Sequence, residues 1–166
     1  MEKETKPATI RPAAPDDMPA LMTLIEAVGL FPPDEIEDLR GMLTDYFTGT
    51  GGDDHFWITD DDNGLAGVAY YAPERMTEGT WNSYFIGVHP DRRREGRAAA
   101  LLAYVEAALA ARGERLLLVE TSSLPTFGRA WALYRKCGYD EEARIRDFYA
   151  AGSDKIVFRK ALVGKG

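Results

Sequence analysis

The stretch VHPDRRREGRAAALL, Val88 to Leu102, narrows the fold more than any other part of the chain. A strand-like run, YFIGV, reaches Pro90. A loop holding Arg92, Arg93, Arg94, Gly96 and Arg97 follows, and the alanine-rich pattern of a helix begins directly after it. A strand that feeds a helix through a glycine loop presents the unpaired N–H groups of the helix's first turn. The macrodipole places partial positive charge at the same end, and a phosphate or pyrophosphate fits there. Gly96 and Ala98 let a ligand approach the backbone closely, and the arginines offer charge-assisted hydrogen bonds. The chain therefore needs an α/β architecture with an anion site at a strand-to-helix junction.

The arginine cluster stands out against an acidic background. The formal net charge is -7, so a protein built to bind nucleic acid is not expected. A single basic spot on an acidic chain points to one small anionic ligand. The single cysteine, Cys137, rules out an intrachain disulfide and suits a reducing cytoplasm. No apolar run approaches the ~18 residues of a membrane span, and the first residues lack the apolar core of a secretory signal. With 166 residues, one domain is expected, over residues 7–166, after a flexible polar tail over residues 1–6.

The other segments supply the rest of the architecture. ATIRPA, Ala8 to Ala13, reads as a short strand. Leu21, Leu24 and Ile25 give one apolar helix face, with Asp16 or Asp17 available as a cap, and Ile36, Leu39, Leu43 and Phe47 give a second. HFWITDDDNGLAGVAYYAPE predicts a hairpin turning at Asp62 to Gly64. TEGTWNSYFIGVHP predicts a third strand. After the arginine loop comes a helix with Leu101, Leu102, Val105 and Leu109 on its buried side, ended near Gly113. ERLLLVETSS predicts a strand buried on both faces. A proline-started helix, LPTFGRAWALYRKCG, and two strands joined near Gly152 complete the chain. The order is strand, two helices, three strands, helix, strand, helix, two strands. It predicts a mixed α/β or α+β domain.

Arg93-x-x-Gly96-x-Ala98 followed by Leu101-Leu102 resembles the coenzyme A pyrophosphate loop of the GNAT superfamily of acetyl-CoA-dependent N-acetyltransferases. AWALYRKCGY, Ala130 to Tyr139, resembles that family's second signature, and the two occur in the family's order within the matching element sequence. The resemblance implies a central, mostly antiparallel mixed sheet of about six to seven strands flanked by about four helices. It implies acetyl-CoA as cosubstrate, a small-molecule or peptide amine as acceptor, and no metal, nucleic acid or membrane. It is also compatible with a homodimer. By the same resemblance Arg93, Arg94, Glu95, Gly96, Arg97, Ala98 and Ala99 would form the pyrophosphate loop, and the backbone of Ile86, Gly87 and Val88 would pair with the pantetheine arm. Gly87 would lie at a bulge splaying the fourth strand from the fifth. The Val88 N–H would stabilise the oxyanion, and Tyr134 would protonate the departing thiolate.

Two positions depart from the family pattern. Phe127 stands where many members carry Asn, and Asn82 where many carry the glutamate that serves as base. Asn cannot take a proton, so Glu120 is the leading replacement and Glu78 the second. Relay through water and an amine arriving neutral remain alternatives. The arginines nearest the strand end include a bystander, Arg92. Tyr70, Tyr71, Trp81 and Tyr84 are candidates for lining the acceptor site, with their faces unassigned. His55, His89 and Cys137 form no metal-ligand spacing. The serines after Thr121 lack the context of a nucleophile elbow, and neither a Walker loop nor a Gly-x-Gly-x-x-Gly fingerprint occurs. An acyl-CoA-binding module without turnover is the rival reading.

Overall fold

The computed structural model describes residues 8–50 and 55–162; the tail expected over residues 1–6 lies outside them. Alternation and turn chemistry build the sheet. β1 (Ile10–Pro12), β2 (Phe56–Asp61), β3 (Leu65–Pro73) and β4 (Thr80–Val88) pair antiparallel in sequence. The β2–β3 turn places Asn63 and Gly64 at positive φ, +56° and +105°, the twist that suits a tight hairpin. β5 (Leu116–Ser122) follows β4 in parallel, and β7 (Ser153–Ala161) then β6 (Asp140–Ala150) close the far side antiparallel. The seven strands run in the order β1-β2-β3-β4-β5-β7-β6.

Helices cover both faces. α1 (Met18–Val28) and α2 (Pro33–Thr48) lie on one. There Leu21, Leu24, Ile25 and Leu43 pack with Trp57, Val68 and Phe85 of the sheet. α3 (Arg97–Ala111) and α4 (Gly128–Lys136) lie on the other. There Leu101, Leu102, Val105 and Leu109 pack with Ile58, Leu117, Val119 and Phe158. The apolar stripes anticipated for α1 and α3 face the sheet, whereas in α2 only Leu43 is buried and Ile36, Leu39 and Phe47 are partly so.

β5 differs from its expected double burial. Leu117 and Val119 are buried, whereas Leu116 and Leu118 are only half-buried, because neither α1 nor α2 extends over this part of the sheet's second face. Pro125 opens a 3-10 turn over Pro125–Phe127, and α4 proper starts at Gly128.

The feature that positions a site is a divergence inside the sheet. β4 and β5 pair only from Thr80↔Leu116 to Ser83↔Val119. Beyond Ser83 the β3–β4 ladder slips, with Tyr70 opposite Phe85 but Tyr71 opposite Ser83, so Tyr84 is an extra residue. A bulge bends its strand and changes its twist, which carries the rest of β4 away from β5. The splay therefore starts at Tyr84, three residues before the expected Gly87. Gly87 has a different reason to be glycine: a Cβ there would meet Phe85 Cζ at 2.8 Å and Val28 Cγ2 at 3.0 Å.

Candidate active site

The divergence opens a cleft of about 870 Å³. Ser83 to Val88 of β4 form one wall and Val119 to Ser122 of β5 the other. Arg92 to Arg94, Gly96 to Ala99 and α4 residues Ala130, Leu133 and Tyr134 complete one end. Val28, Phe31 and Glu35 close it from the α1–α2 side, and Tyr149 reaches it from β6.

Backbone polarity follows from the ladder. The His89 N–H donates to the Ala66 carbonyl at 2.8 Å. Alternate residues of an antiparallel strand face the same neighbour, so Gly87 also faces β3. Ile86 and Val88 thus direct their N–H and C=O groups to the opposite edge, where β5 no longer pairs. The wall of the cleft is an open strand edge.

At the cleft's basic end, Gly96 holds φ at +77° and caps α3. The first intrahelical bond runs from the Ala100 N–H to the Gly96 carbonyl at 3.0 Å. The N–H groups of Gly96, Arg97, Ala98 and Ala99 therefore precede the first helical bond. A Cβ on Gly96 would meet nothing within 4 Å, so the positive φ rather than crowding calls for glycine. Arg94 shares the left-handed region at φ +65°.

The four arginines divide into two pairs. Arg97 turns back onto the hairpin, donating to Asp60 Oδ2 at 2.9 Å and Asp62 Oδ2 at 2.7 Å. Arg92 donates to the Asp62 carbonyl at 3.1 Å and pairs with Glu95 at 3.3 Å. Glu95 also pairs with Arg97, at 3.5 Å, and its side chain does not line the cleft. Arg93 and Arg94 are exposed and border the cleft. Two arginines thus fasten the loop to the β2–β3 turn while the other two face outward. The acidic hairpin is the anchor for the loop.

Tyr134 and Glu120 both line the cleft. Tyr134 is 8% exposed and packs against Phe158, 5.3 Å between ring centroids, and Tyr139. Burial pushes its phenol up to about 12, with Cys137 adding to the shift, so it carries its proton at neutral pH. Glu120 accepts from Asn82 Nδ2 at 2.8 Å through Oε1 and pairs with Lys155 Nζ at 2.9 Å through Oε2. Glu78 lies in the β3–β4 turn away from the cleft. Phe127 stands in the cleft wall.

Asn82 also reveals a carboxylate that sequence reasoning did not single out. Its fully buried Nδ2 donates a second bond, 2.8 Å to Glu74 Oε1, which also accepts from the Tyr84 hydroxyl at 3.0 Å. Two carboxylates are held at either side of one amide. Glu74 borders a second cleft of about 600 Å³ on the α2 side, and this shares Phe31, Tyr84 and Phe85 with the first. No periodicity marks Glu74, since it lies just past β3 and meets Asn82 only through the hairpin. Glu35 escaped notice because an acid in a helix's first turn has an ordinary reason to be there.

Of the aromatics with unassigned faces, Tyr70 and Tyr84 line the second cleft. Tyr71 and Trp81 instead belong to the core beneath α3, where Arg112 lies 5.1 Å over the Trp81 ring. His89 accepts the Asp91 N–H at 3.1 Å, and His55 packs edge-on to Tyr46. Among the described residues no group of acids, histidines and cysteines gathers as a metal site, and no helix is long and apolar enough to cross a membrane.

Known proteins share this fold. A family model described as an acetyltransferase (GNAT) domain matches residues 52–141. A structure from Desulfovibrio desulfuricans, assigned to acetyltransferases of the GNAT family, superposes with a TM-score of 0.86 at 31% identity, over 93% of this chain and 98% of that one. The ribosomal-protein-S18-alanine N-acetyltransferase of Escherichia coli has a TM-score of 0.74 at 23% identity, over 95% and 96%. An aminoglycoside 6'-N-acetyltransferase complexed with coenzyme A has a TM-score of 0.76 at 16% identity, over 95% and 98%. No curated protein matches the sequence at a significant level.

Proposed function

Because the chain belongs to the GNAT acetyltransferase family, we propose that it transfers the acetyl group of acetyl-CoA to a primary amine by direct attack within a ternary complex. One observation carries this reading above the others. A single cleft joins the unpaired first-turn amides of α3, an open strand edge at Ile86 and Val88, and a proton-bearing Tyr134.

In this reading the amides from Arg94 to Ala99 hold the pyrophosphate, as helix N-termini hold phosphates. The Arg93 and Arg94 side chains add charge, whereas Arg97 and Glu95 act by fastening the loop. Ile86, Gly87 and Val88 pair with the pantetheine arm as an added strand. The amine nitrogen attacks the thioester carbon, and the Val88 N–H donates to the oxygen that gains charge. As the carbon–sulfur bond breaks, Tyr134 gives its proton to the sulfur. Glu120 takes the proton released by the nitrogen, with Asn82 and Lys155 fixing its two oxygens. The single cysteine and the absence of a membrane-length helix among the described residues suit a cytoplasmic setting.

Calorimetric titration with acetyl-CoA, followed by thiol release across a diverse amine library, tests the reading. Saturable heat and amine-dependent thiol release are expected. Heat without thiol release would favour the binding-module reading, which Asn82 at the usual base position supports. Absence of both would overturn the family-derived function altogether.

A further inference from the structure

The second cleft lies outside the splay between β4 and β5 and adjoins the first, sharing Phe31, Tyr84 and Phe85 with it. Its walls are Phe31, Leu39, Met42, Tyr70 and Phe85. Phe31 meets Phe85 edge-on at 4.9 Å, and Tyr70 lies 6.0 Å from Tyr84. Met42 is 36% and Tyr84 48% exposed, so apolar surface stays in contact with water along this rim. Apolar surface gathered in a concave site with few polar groups is the composition of a small-molecule pocket. The ionic content is small. Glu74 Oε1 already accepts from Asn82 and Tyr84, and Arg75 lies beside it in the lining. A polycation needs several carboxylates to replace its hydration, and this cleft offers one, with a cation next to it.

We infer that the acceptor is a primary amine carried on an apolar, ring-sized body, an arylalkylamine in chemical class, whose nitrogen reaches the first cleft past Tyr84 while its ring occupies the second. This rests on the acetyl-transfer reading and assigns the substrate class for it. A polycationic aminoglycoside or polyamine fits the cleft poorly, and so does the polar backbone of an extended peptide. Burying a ring in place of leaving it in water favours the aryl amine over a bare alkylamine by at least about tenfold.

The test compares 2-phenylethylamine, ethylamine, spermidine, kanamycin and a peptide beginning with alanine, by thiol release from acetyl-CoA. The expected kcat/KM for 2-phenylethylamine exceeds that for ethylamine by about tenfold or more and exceeds those of the other three. Met42→Trp, which fills the cleft from α2, brings the 2-phenylethylamine to ethylamine ratio close to 1; Ala72→Phe does the same from β3. A ratio near 1 in the unaltered protein, or preference for kanamycin, spermidine or the peptide, overturns the inference. A second readout needs no turnover. With methyl-labelled methionine, 2-phenylethylamine shifts the Met42 methyl resonance, identified by its loss in Met42→Leu. A shift without thiol release would sink the transfer reading and keep the ring in the cleft; thiol release without a shift would do the reverse.

Discussion

Tyr134 is the residue on which the chemistry is most exposed to refutation. Its ring packs against Phe158 and Tyr139, and the residue lines the cleft. Tyr134→Phe keeps the ring packing and removes only the proton donor. The expected result is a fall in kcat of about 10² or more, with acetyl-CoA affinity by calorimetry changed less than about twofold. Unchanged kcat would remove Tyr134 from the mechanism. Its phenol, pushed up to about 12, keeps its proton through the working range. The pH–rate profile should therefore show no decline from Tyr134 below about pH 10, and a decline there that vanishes in Tyr134→Phe would contradict the assignment. Gly96 presents a different kind of test, since its φ of +77° rather than its surroundings excludes a side chain. Gly96→Val forces the cap of α3 out of the left-handed region, at a cost of about 1–2 kcal/mol. Acetyl-CoA affinity should fall about tenfold or more; unaltered calorimetric affinity would separate the loop from the pyrophosphate.

At the scale of elements, the arginine loop makes two opposite predictions from neighbouring positions. Arg97 belongs to the fold. Its guanidinium joins α3 to Asp60, which is 2% exposed, and its own proton is held more tightly by the bonds to Asp62 and Asp60. Arg97→Met leaves a buried carboxylate without its cation and should cost about 3 kcal/mol, read as a lower urea midpoint. Arg94→Ala removes an exposed side chain from the cleft rim. It should leave the urea midpoint within about 0.5 kcal/mol and weaken acetyl-CoA binding several-fold, more so at low salt. Equal effects of the two substitutions on stability would refute this division. The contrast also explains what could be read from sequence. Element order followed from local signals, namely the Asn63-Gly64 turn, the glycine that starts α3, the apolar spacing of α1 to α3 and the proline before α4. Among four arginines within six residues, Arg94 and Arg97 looked alike, because the difference between them lies in a hairpin that is distant in sequence. The same is true of Glu74, which meets Asn82 only through β3–β4 pairing, and of the bulge at Tyr84, which exists only as a mismatch between two strands. Trp81 faces α3 and Phe85 faces α1, although plain alternation would put both on one face, since one extra residue between them reverses every side chain beyond it.

For the whole molecule, the buried phenols set an upper limit to the pH range of stability. Tyr71 and Tyr134 are 5% and 8% exposed, and burial pushes both up to about 12. Tyr139 is raised as well, first by burial and then by Glu106, to which its hydroxyl donates at 2.9 Å. In the unfolded chain a tyrosine loses its proton near pH 10. Between that value and the folded one the native state binds more protons than the unfolded state, so stability falls as pH rises. The contribution is complete below about pH 10 and is lost progressively toward pH 12, at up to about 1.4 kcal/mol per pH unit for each phenol kept neutral. Because these three rings come from β3, α4 and the turn before β6, the loss weakens the packing of α3 and α4 on the sheet together. Urea midpoints should therefore be flat from about pH 7 to 9 and drop steeply by about pH 11. Because three of the eight tyrosines are buried, tyrosinate absorbance should reach its full value only in step with the loss of helical signal. In Tyr139→Phe, with one phenol fewer to titrate, the slope above pH 10 should be shallower although the starting stability is lower. A tyrosinate signal that develops fully while the fold persists would mean that these hydroxyls reach water, and it would also undermine Tyr134 as a proton donor held neutral in the cleft wall.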